Sequence, residues 1–366
     1  MEKKVAFLDL RIDKDEREEL LTAINTVFEH GKIVLGPEVQ EFERLIANFC
    51  NRKYAVGVSS GSDALFLGLK SLGIKEGDEV ITTSLSWIAT AHAIARTGAK
   101  PIFADINDDL NIDPDSIIKL VTSKTKAIVP VHYTGKICQM NKILDIAKKH
   151  NLHIVEDSAQ AFGALYEDKI AGSFGKVACF SLNPMKVFAA CGEAGIVLTD
   201  DKDIYEKLII LRYSGTINKE QCIEISLNSR IDTIQAAMLI KRFDRVKNII
   251  EKRRRSAQFY NDQLKDIVKV PIEKNEEKDV YYTYTIQAEK RNELQSFLES
   301  KGIETKIQHP YLMPDQPVYI NEVQNNFPKA KNLIKKILCL PIHEKLTQNE
   351  LKYVVDSIKE FYAINR

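Results

Sequence analysis

Between Tyr54 and Asp200, short runs rich in β-branched and other apolar residues alternate with amphipathic stretches. The apolar runs predict strands over 54–58, 79–83, 100–104, 127–131, 152–156, 177–182 and 195–199, each flanked by turn-forming residues. Apolar residues at helical spacing predict helices between them, among others over 64–72, 90–96 and 142–150. This alternation gives a largely parallel sheet covered by helices on both faces. Only a loop separates the last two runs, so an antiparallel strand is expected there.

Beyond the sheet the period changes. Residues 232–251 read as one long amphipathic helix, apolar at Ile234, Ala237, Met238, Ile240 and Phe243 with basic residues between them. A strand over 281–286, a helix over 291–301, a second strand over 304–307 and a closing helix over 348–362 follow. The expected architecture is α/β: a large domain over 1–250 with a mostly parallel seven-stranded sheet, and a smaller C-terminal α+β domain over 251–366. There is no internal repeat and no low-complexity segment.

Composition narrows the function classes. The 366 residues are 44% hydrophobic and 28% charged, which suits a globular chain long enough for two domains. Lys and Arg total 52 against 51 Asp and Glu, so the basic excess of a nucleic-acid binder is missing. The short basic run Arg253, Arg254 and Arg255 reads as a solvated helix face. No stretch of 18 apolar residues is present, so no membrane span is expected. The opening Met1-Glu2-Lys3-Lys4 leads through a short apolar segment to the charge-dense 11–19, which is not a secretory signal. Six scattered cysteines without CxxC spacing point to free thiols in the cytoplasm rather than zinc ligands.

Four places carry candidate chemistry. The turn Ser59-Ser60-Gly61-Ser62-Asp63 follows a strand and opens a helix. Gly61 allows close backbone approach, and free N–H groups at a helix start favour a phosphate; a plain serine-capped helix start explains the turn equally well. At Glu156-Asp157-Ser158-Ala159-Gln160 an acidic pair ends an apolar strand, where ligands bind in open α/β sheets. A carboxylate there can keep a pyridine nitrogen protonated, which makes pyridoxal phosphate an electron sink; the alternative is a helix cap. Lys186 follows the strand ending near Leu182, with Ser181 five residues before it. A lysine amine becomes a Schiff-base nucleophile when desolvated or placed beside positive charge, although an isolated lysine is ordinarily a surface residue. Trp87, the single tryptophan, lies just past a strand end, either stacking on a flat ligand or filling the core.

In this order the features resemble the DegT/DnrJ/EryC1/StrS family of sugar aminotransferases over almost the whole chain. The resemblance runs from Gly31-Lys32-Ile33-Val34-Leu35-Gly36-Pro37-Glu38-Val39 through Gly61-Ser62-Asp63-Ala64-Leu65, Pro101-Ile102-Phe103-Ala104-Asp105 and Glu156 to Gln160. It continues through Ser181 to Lys186, Asn228-Ser229-Arg230-Ile231-Asp232 and Leu340-Pro341-Ile342-His343. It implies a type I pyridoxal-phosphate fold, pyridoxal 5'-phosphate as cofactor, and a homodimer with shared active sites. Lys186 then holds the cofactor aldehyde, Asp157 pairs with the ring nitrogen, Gln160 lies near the ring hydroxyl and Trp87 stacks on the ring. Gly61, Ser62 and Ser181 bind the phosphate, with Asp63 and Asn183 among the cofactor-binding residues, and Asn228 reaches the neighbouring subunit's cofactor. Sugar-deoxygenating relatives carry histidine where Lys186 stands, so amination is expected.

The resemblance further implies L-glutamate as amino donor, ping-pong kinetics and a nucleotide-linked keto-sugar as acceptor. A small keto-phosphate such as dihydroxyacetone phosphate is the alternative acceptor. A non-catalytic pyridoxal-phosphate sensor is the alternative of a different class, although no basic helix-turn-helix precedes the fold. The chain departs from the family pattern at Val187 to Gly195 and at His309 to Gln316, which leaves the acceptor open. Arg212, Arg230, Lys306 and His309 are the candidates for holding an anionic substrate.

Overall fold

The computed structural model describes residues 4–320 and 326–364; Met1, Glu2 and Lys3 of the charged opening lie outside them. Seven strands form the main sheet: β1 (Tyr54–Val58), β2 (Glu79–Thr83), β3 (Lys100–Ala104), β4 (Thr125–Val129), β5 (His153–Asp157), β6 (Val177–Ser181) and β7 (Gly195–Thr199). Their spatial order is β1-β7-β6-β5-β4-β2-β3. Pairing is parallel from β6 across to β3, whereas β7 runs antiparallel to both β6 and β1. The expected antiparallel strand is therefore β7. The segment joining it to β6 holds no crossover helix, and without one a strand can only return alongside in the opposite sense.

After an opening helix α1 (Lys14–His30), helices cover both faces of the sheet. On one side, Ala64, Leu67 and Leu69 of α3 (Gly61–Ser71) pack on Val56, Val129, Val155, Val177 and Val197. On the other, Phe42 and Ile46 of α2 (Pro37–Phe49) join Ile128, Ile154, Phe180 and Ile196. Alternation along β5 sends Val155 to the α3 face and Ile154 to the α2 face. Burying each such side chain contributes about 1.5–3 kcal/mol. α3 starts where it does because Ser60 is its N-cap, the hydroxyl accepting from the Asp63 N–H at 3.1 Å.

A separate core collects Ala257, Tyr260 and Leu264 with Tyr284, Ile286, Leu298, Leu338, Leu340 and Val354. Val5, from the start of the chain, joins this C-terminal core and bridges to Ile303.

Three expectations for the second half are corrected. Residues 232–251 are not one helix: Thr233–Phe243 ends at Asp244, and Val246–Leu264 runs on well past 251. The first piece packs through Ala236 and Leu239 on the sheet core; the second starts on that core with Val246 and reaches the C-terminal core through Ala257 and Leu264. On either side of the break, Arg242 and Arg245 pair with Glu16 and Glu19. Arg253 is not solvated. It is buried, and its Nη1 donates to the carbonyls of Tyr281, Tyr282 and Ile342 at 3.2, 3.4 and 2.9 Å. Residues 304–307 form no strand; only Lys306 bridges, to Cys339, and the strand paired with Tyr284–Gln287 is Ile337–Leu340.

All six cysteines are free. Among the described residues, no helix is long and apolar enough to cross a membrane, and no group of three His, Cys, Asp or Glu side chains is arranged to hold a metal.

Candidate active site

At the C-terminal end of β5 and β6, and against the first turn of α3, lies a cavity of about 470 Å³. This is where the connections of an open α/β sheet leave room for a ligand. Lys186, Asp157, Gly61, Ser62, Trp87, Gln160, Ser181 and Asn183 all line it, although they come from four separate stretches of chain.

The acidic pair divides its labour by strand parity. Glu156 points to the α2 face, where it accepts from the N–H groups of Gly172, Phe174 and Gly175 at 2.7–2.8 Å and from His132 at 3.0 Å. Burial pushes its carboxyl up, but those donors outweigh the penalty and leave it below the ordinary glutamate value. His132 Nδ1 accepts from the Cys138 N–H, so the hydrogen-bond pattern assigns the ring proton to Nε2. Glu156 is thus a structural anchor.

Asp157 faces the cavity. Thr90 Oγ1 donates to its Oδ2 at 2.7 Å and the Ala159 N–H to its Oδ1 at 3.2 Å. Burial pushes this carboxyl above its ordinary value; the hydrogen bonds from Thr90 and Ala159 and the nearby Lys186 ammonium pull against the rise. A buried anion in that position is suited to a cation arriving from the cavity.

The Lys186 Nζ lies 4.4 Å from the ring centroid of Tyr282, a cation–π distance. Asn183 Nδ2 donates to Glu193 Oε1 at 2.5 Å across the mouth of the loop. Trp87 is 62% exposed, which rules out the core-filling alternative; its ring sits 6.0 Å from that of His309. The Gln160 Oε1 accepts from the Thr134 N–H at 2.8 Å.

The turn at Gly61 is a tight cradle: a Cβ there would stand 2.5 Å from the Ser181 Cβ. With Ser62 and Ser181 beside it and the N-terminus of α3 behind, it offers the donors that a phosphate takes. Gln308 Oε1 and His309 Nε2, on residues that also line the cavity, are buried without a hydrogen-bond partner. A phosphate cradle, an exposed aromatic face, a buried carboxylate and an amine are the complementary parts of a phosphorylated pyridine aldehyde, so the residues fit pyridoxal phosphate.

The other candidates divide. Lys306 and His309 line the cavity. Burial, with Lys306 and Lys186 nearby, pulls the His309 imidazole down to about 3, so it is neutral at physiological pH. Asp63 turns away from the cavity, accepting from the Ser59 hydroxyl and standing 3.8 Å from Arg96. Arg212 does not reach the cavity at all. It is buried against Glu43 and the Gly57 carbonyl, clamping α2 to β1, and this corrects its reading as a substrate-binding group. Asn228 and Arg230 lie together beside the edge strand β1, where Arg230 donates to Asn228 Oδ1 at 2.7 Å and stacks on Tyr213. They do not line this chain's cavity.

Sequence reasoning missed Thr90, Glu193, Tyr282 and Gln308, which line the cavity. Thr90 stands within the Trp87 turn and was legible as a polar residue near a strand end. Nothing local marks Tyr282 or Gln308.

The family model described as the DegT/DnrJ/EryC1/StrS aminotransferase family matches residues 14–359. Among curated relatives, a pleiotropic regulatory protein of Geobacillus stearothermophilus is 38% identical, the alignment covering 98% of each chain. The dTDP-3-amino-3,6-dideoxy-alpha-D-galactopyranose transaminase of Aneurinibacillus thermoaerophilus is 36% identical over 98% of this chain and 99% of its own. Among solved structures, that of S. venezuelae DesV in complex with a ketimine intermediate superposes with a TM-score of 0.95 at 36% identity, covering 99% of both chains.

Proposed function

The chain belongs to the DegT/DnrJ/EryC1/StrS aminotransferase family, and from that premise we propose that it moves an amino group from L-glutamate to the keto group of a nucleotide-linked keto-sugar. Aminotransferases of this family use pyridoxal 5'-phosphate. The observation that carries the proposal is that Lys186 and Asp157 line one cavity with the Gly61 cradle and Trp87. The sugar assignment is supported by the transaminase relative, which is named for a dTDP-linked amino sugar.

Bound there, pyridoxal phosphate supplies an aldehyde that condenses with amines and a ring that takes up electrons from the adjacent carbon. The Lys186 amine would hold the aldehyde and would serve as the base for the proton on the donor's α-carbon. Asp157 would keep the ring nitrogen cationic, and Trp87 would stack on the ring. Gly61, Ser62 and Ser181 would hold the phosphate, and Gln160 would lie near the ring hydroxyl. Lys306 and the neutral His309 face the acceptor. Asn228 and Arg230, away from their own chain's cavity, serve that of a second copy in a cytoplasmic homodimer. A large domain over 1–250 and a small one over 251–366 complete the proposed organisation, with Val5 packed into the second.

The test is spectroscopic first. L-glutamate added to the loaded enzyme converts the visible band of the lysine-bound cofactor to that of pyridoxamine phosphate, and double-reciprocal plots of the full reaction are parallel. Intersecting plots would sink the two-stage mechanism. Nucleotide-4-keto-sugars are expected to turn over; turnover of dihydroxyacetone phosphate alone would transfer the assignment to keto-phosphates. The regulatory name of the first relative favours one second reading, a sensor that binds the cofactor without turnover. An unchanged spectrum with every amino donor tried would support it.

A further inference from the structure

We propose that Thr90 is a positioning residue of this site: it fixes the rotation of the Asp157 carboxylate and ties it to the turn that carries Trp87. The inference rests on the reading of Asp157 as partner of a cationic ring nitrogen.

A carboxylate at the end of an aspartate turns about a broad, weakly preferred torsion. Two hydrogen bonds to different oxygens stop that rotation, and Asp157 has them: the Thr90 hydroxyl on Oδ2 at 2.7 Å and the Ala159 N–H on Oδ1 at 3.2 Å. Both Thr90 and Asp157 line the cavity yet are 2% and 4% exposed, so water has little access to replace the hydroxyl. Each oxygen keeps a lone pair for a ligand.

The Thr90 hydroxyl has one hydrogen and two acceptors in range, Asp157 at 2.7 Å and the Trp87 carbonyl at 3.4 Å. The shorter, charge-assisted bond takes it. The Thr90 N–H also lies 3.4 Å from the Trp87 carbonyl, closing the turn. Thr90 stands in the first turn of the helix Ala89–Arg96, where a branched Cβ restricts its rotamer. One short turn therefore sets both the ring-facing aromatic and the ring-nitrogen-facing carboxylate.

The electrostatics agree. Burial pushes the Asp157 carboxyl up, and the Thr90 hydrogen bond is the largest influence opposing it, ahead of the Ala159 N–H and the charge of Lys186. Glu156 lies next along the strand but on the opposite face, already satisfied. Without Thr90 the carboxyl would accept a proton more readily and present a neutral acid to the ring.

The experiment compares T90V, T90S, D157N and the double variant T90V/D157N with the wild type. Pyridoxal-phosphate affinity is measured by fluorescence titration of the apoproteins, and the pH titration of the bound cofactor's visible band is recorded. T90V, close to isosteric, is expected to bind about 10-fold more weakly, as for a lost hydrogen bond to a charged group. Its cofactor band should titrate at a shifted pH, and its kcat should fall with an acceptor KM within about twofold of wild type. T90S should restore most of the affinity and the titration. In the D157N background, adding T90V should change affinity by less than about twofold. Additive losses in the double variant, or a T90S as impaired as T90V, would show that Thr90 acts through packing and overturn the proposal. A folded T90V with wild-type affinity and titration would overturn it as well, leaving the aminotransferase reading intact. A wild-type protein that binds no pyridoxal phosphate would remove both.

Discussion

Replacing Gly61 with alanine tests the phosphate cradle by crowding it from inside. The new Cβ would stand 2.5 Å from the Ser181 Cβ and 2.9 Å from its Cα. Carbon atoms in contact settle at roughly 3.5–4.0 Å, so about 1 Å of movement is required. Ser181 ends β6, which is hydrogen-bonded between β5 and β7, and yields little. The first turn of α3 must give way instead. Overpacking of this kind costs about 1–3 kcal/mol. With an unfolding entropy of roughly 2.1 cal/mol/K per residue, a chain of this length should lose about 1–4 °C in Tm.

The same movement carries the Ser62 N–H and hydroxyl away from the phosphate. One hydrogen bond to a charged group lost is worth about 1.5–3 kcal/mol, so pyridoxal phosphate should bind on the order of 10–100-fold more weakly. Gly68→Ala is the control. It lies in the same helix, and its Cβ would meet Val177 Cγ1 at 3.0 Å and Cys179 Sγ at 3.1 Å, inside the core and away from the cavity. It should lower Tm without changing cofactor affinity. Thermal unfolding of the apoproteins and fluorescence titration with pyridoxal phosphate read the two effects separately. If G61A destabilises as G68A does but keeps its cofactor affinity within about twofold, the phosphate is not held at Gly61 and the reasoning fails.

Two further outcomes follow from buried charge. R212M strands Glu43, whose carboxyl burial already pushes up against the pull of Arg212; denaturant unfolding should show a loss of about 3–5 kcal/mol. The R212M/E43L pair should recover much of this, and the acceptor KM should stay unchanged in both, since a raised KM would return Arg212 to the substrate. Asp279 shares the single ammonium of Lys136 with Glu277, and its own burial raises its carboxyl to about 7. Its folded value lies above its unfolded one, so its stabilising contribution is full below about pH 4 and is lost as pH rises through about 7. Glu273 and Arg254 also face it, with opposite effects. D279N should therefore gain on the wild type between pH 5 and 8, by on the order of 2–4 kcal/mol at the upper end, in unfolding measured across that range; a pH-independent difference would refute the assignment.

The main sheet was readable along the chain because each strand records locally which faces are buried. The expected strands over 54–58, 79–83, 100–104 and 195–199 coincide with β1, β2, β3 and β7, and the other three differ by one or two residues at an end. Lys186, Asp157, Gly61 and Trp87 were legible for a related reason: they follow strands, and in an open α/β sheet strand ends converge on the ligand. Distance along the chain hid the rest. Arg212 and Glu43, 169 residues apart, meet under β1. Tyr282 comes to Lys186 from the C-terminal half of the chain, held there by Arg253, which donates to its carbonyl and to that of Tyr281. The strand Ile337–Leu340 was not anticipated at all and finds Tyr284–Gln287 some fifty residues earlier. Local periodicity specifies that a side chain is buried, but the partner it is buried against is fixed only when the sheet, the helix pair and the C-terminal core pack together.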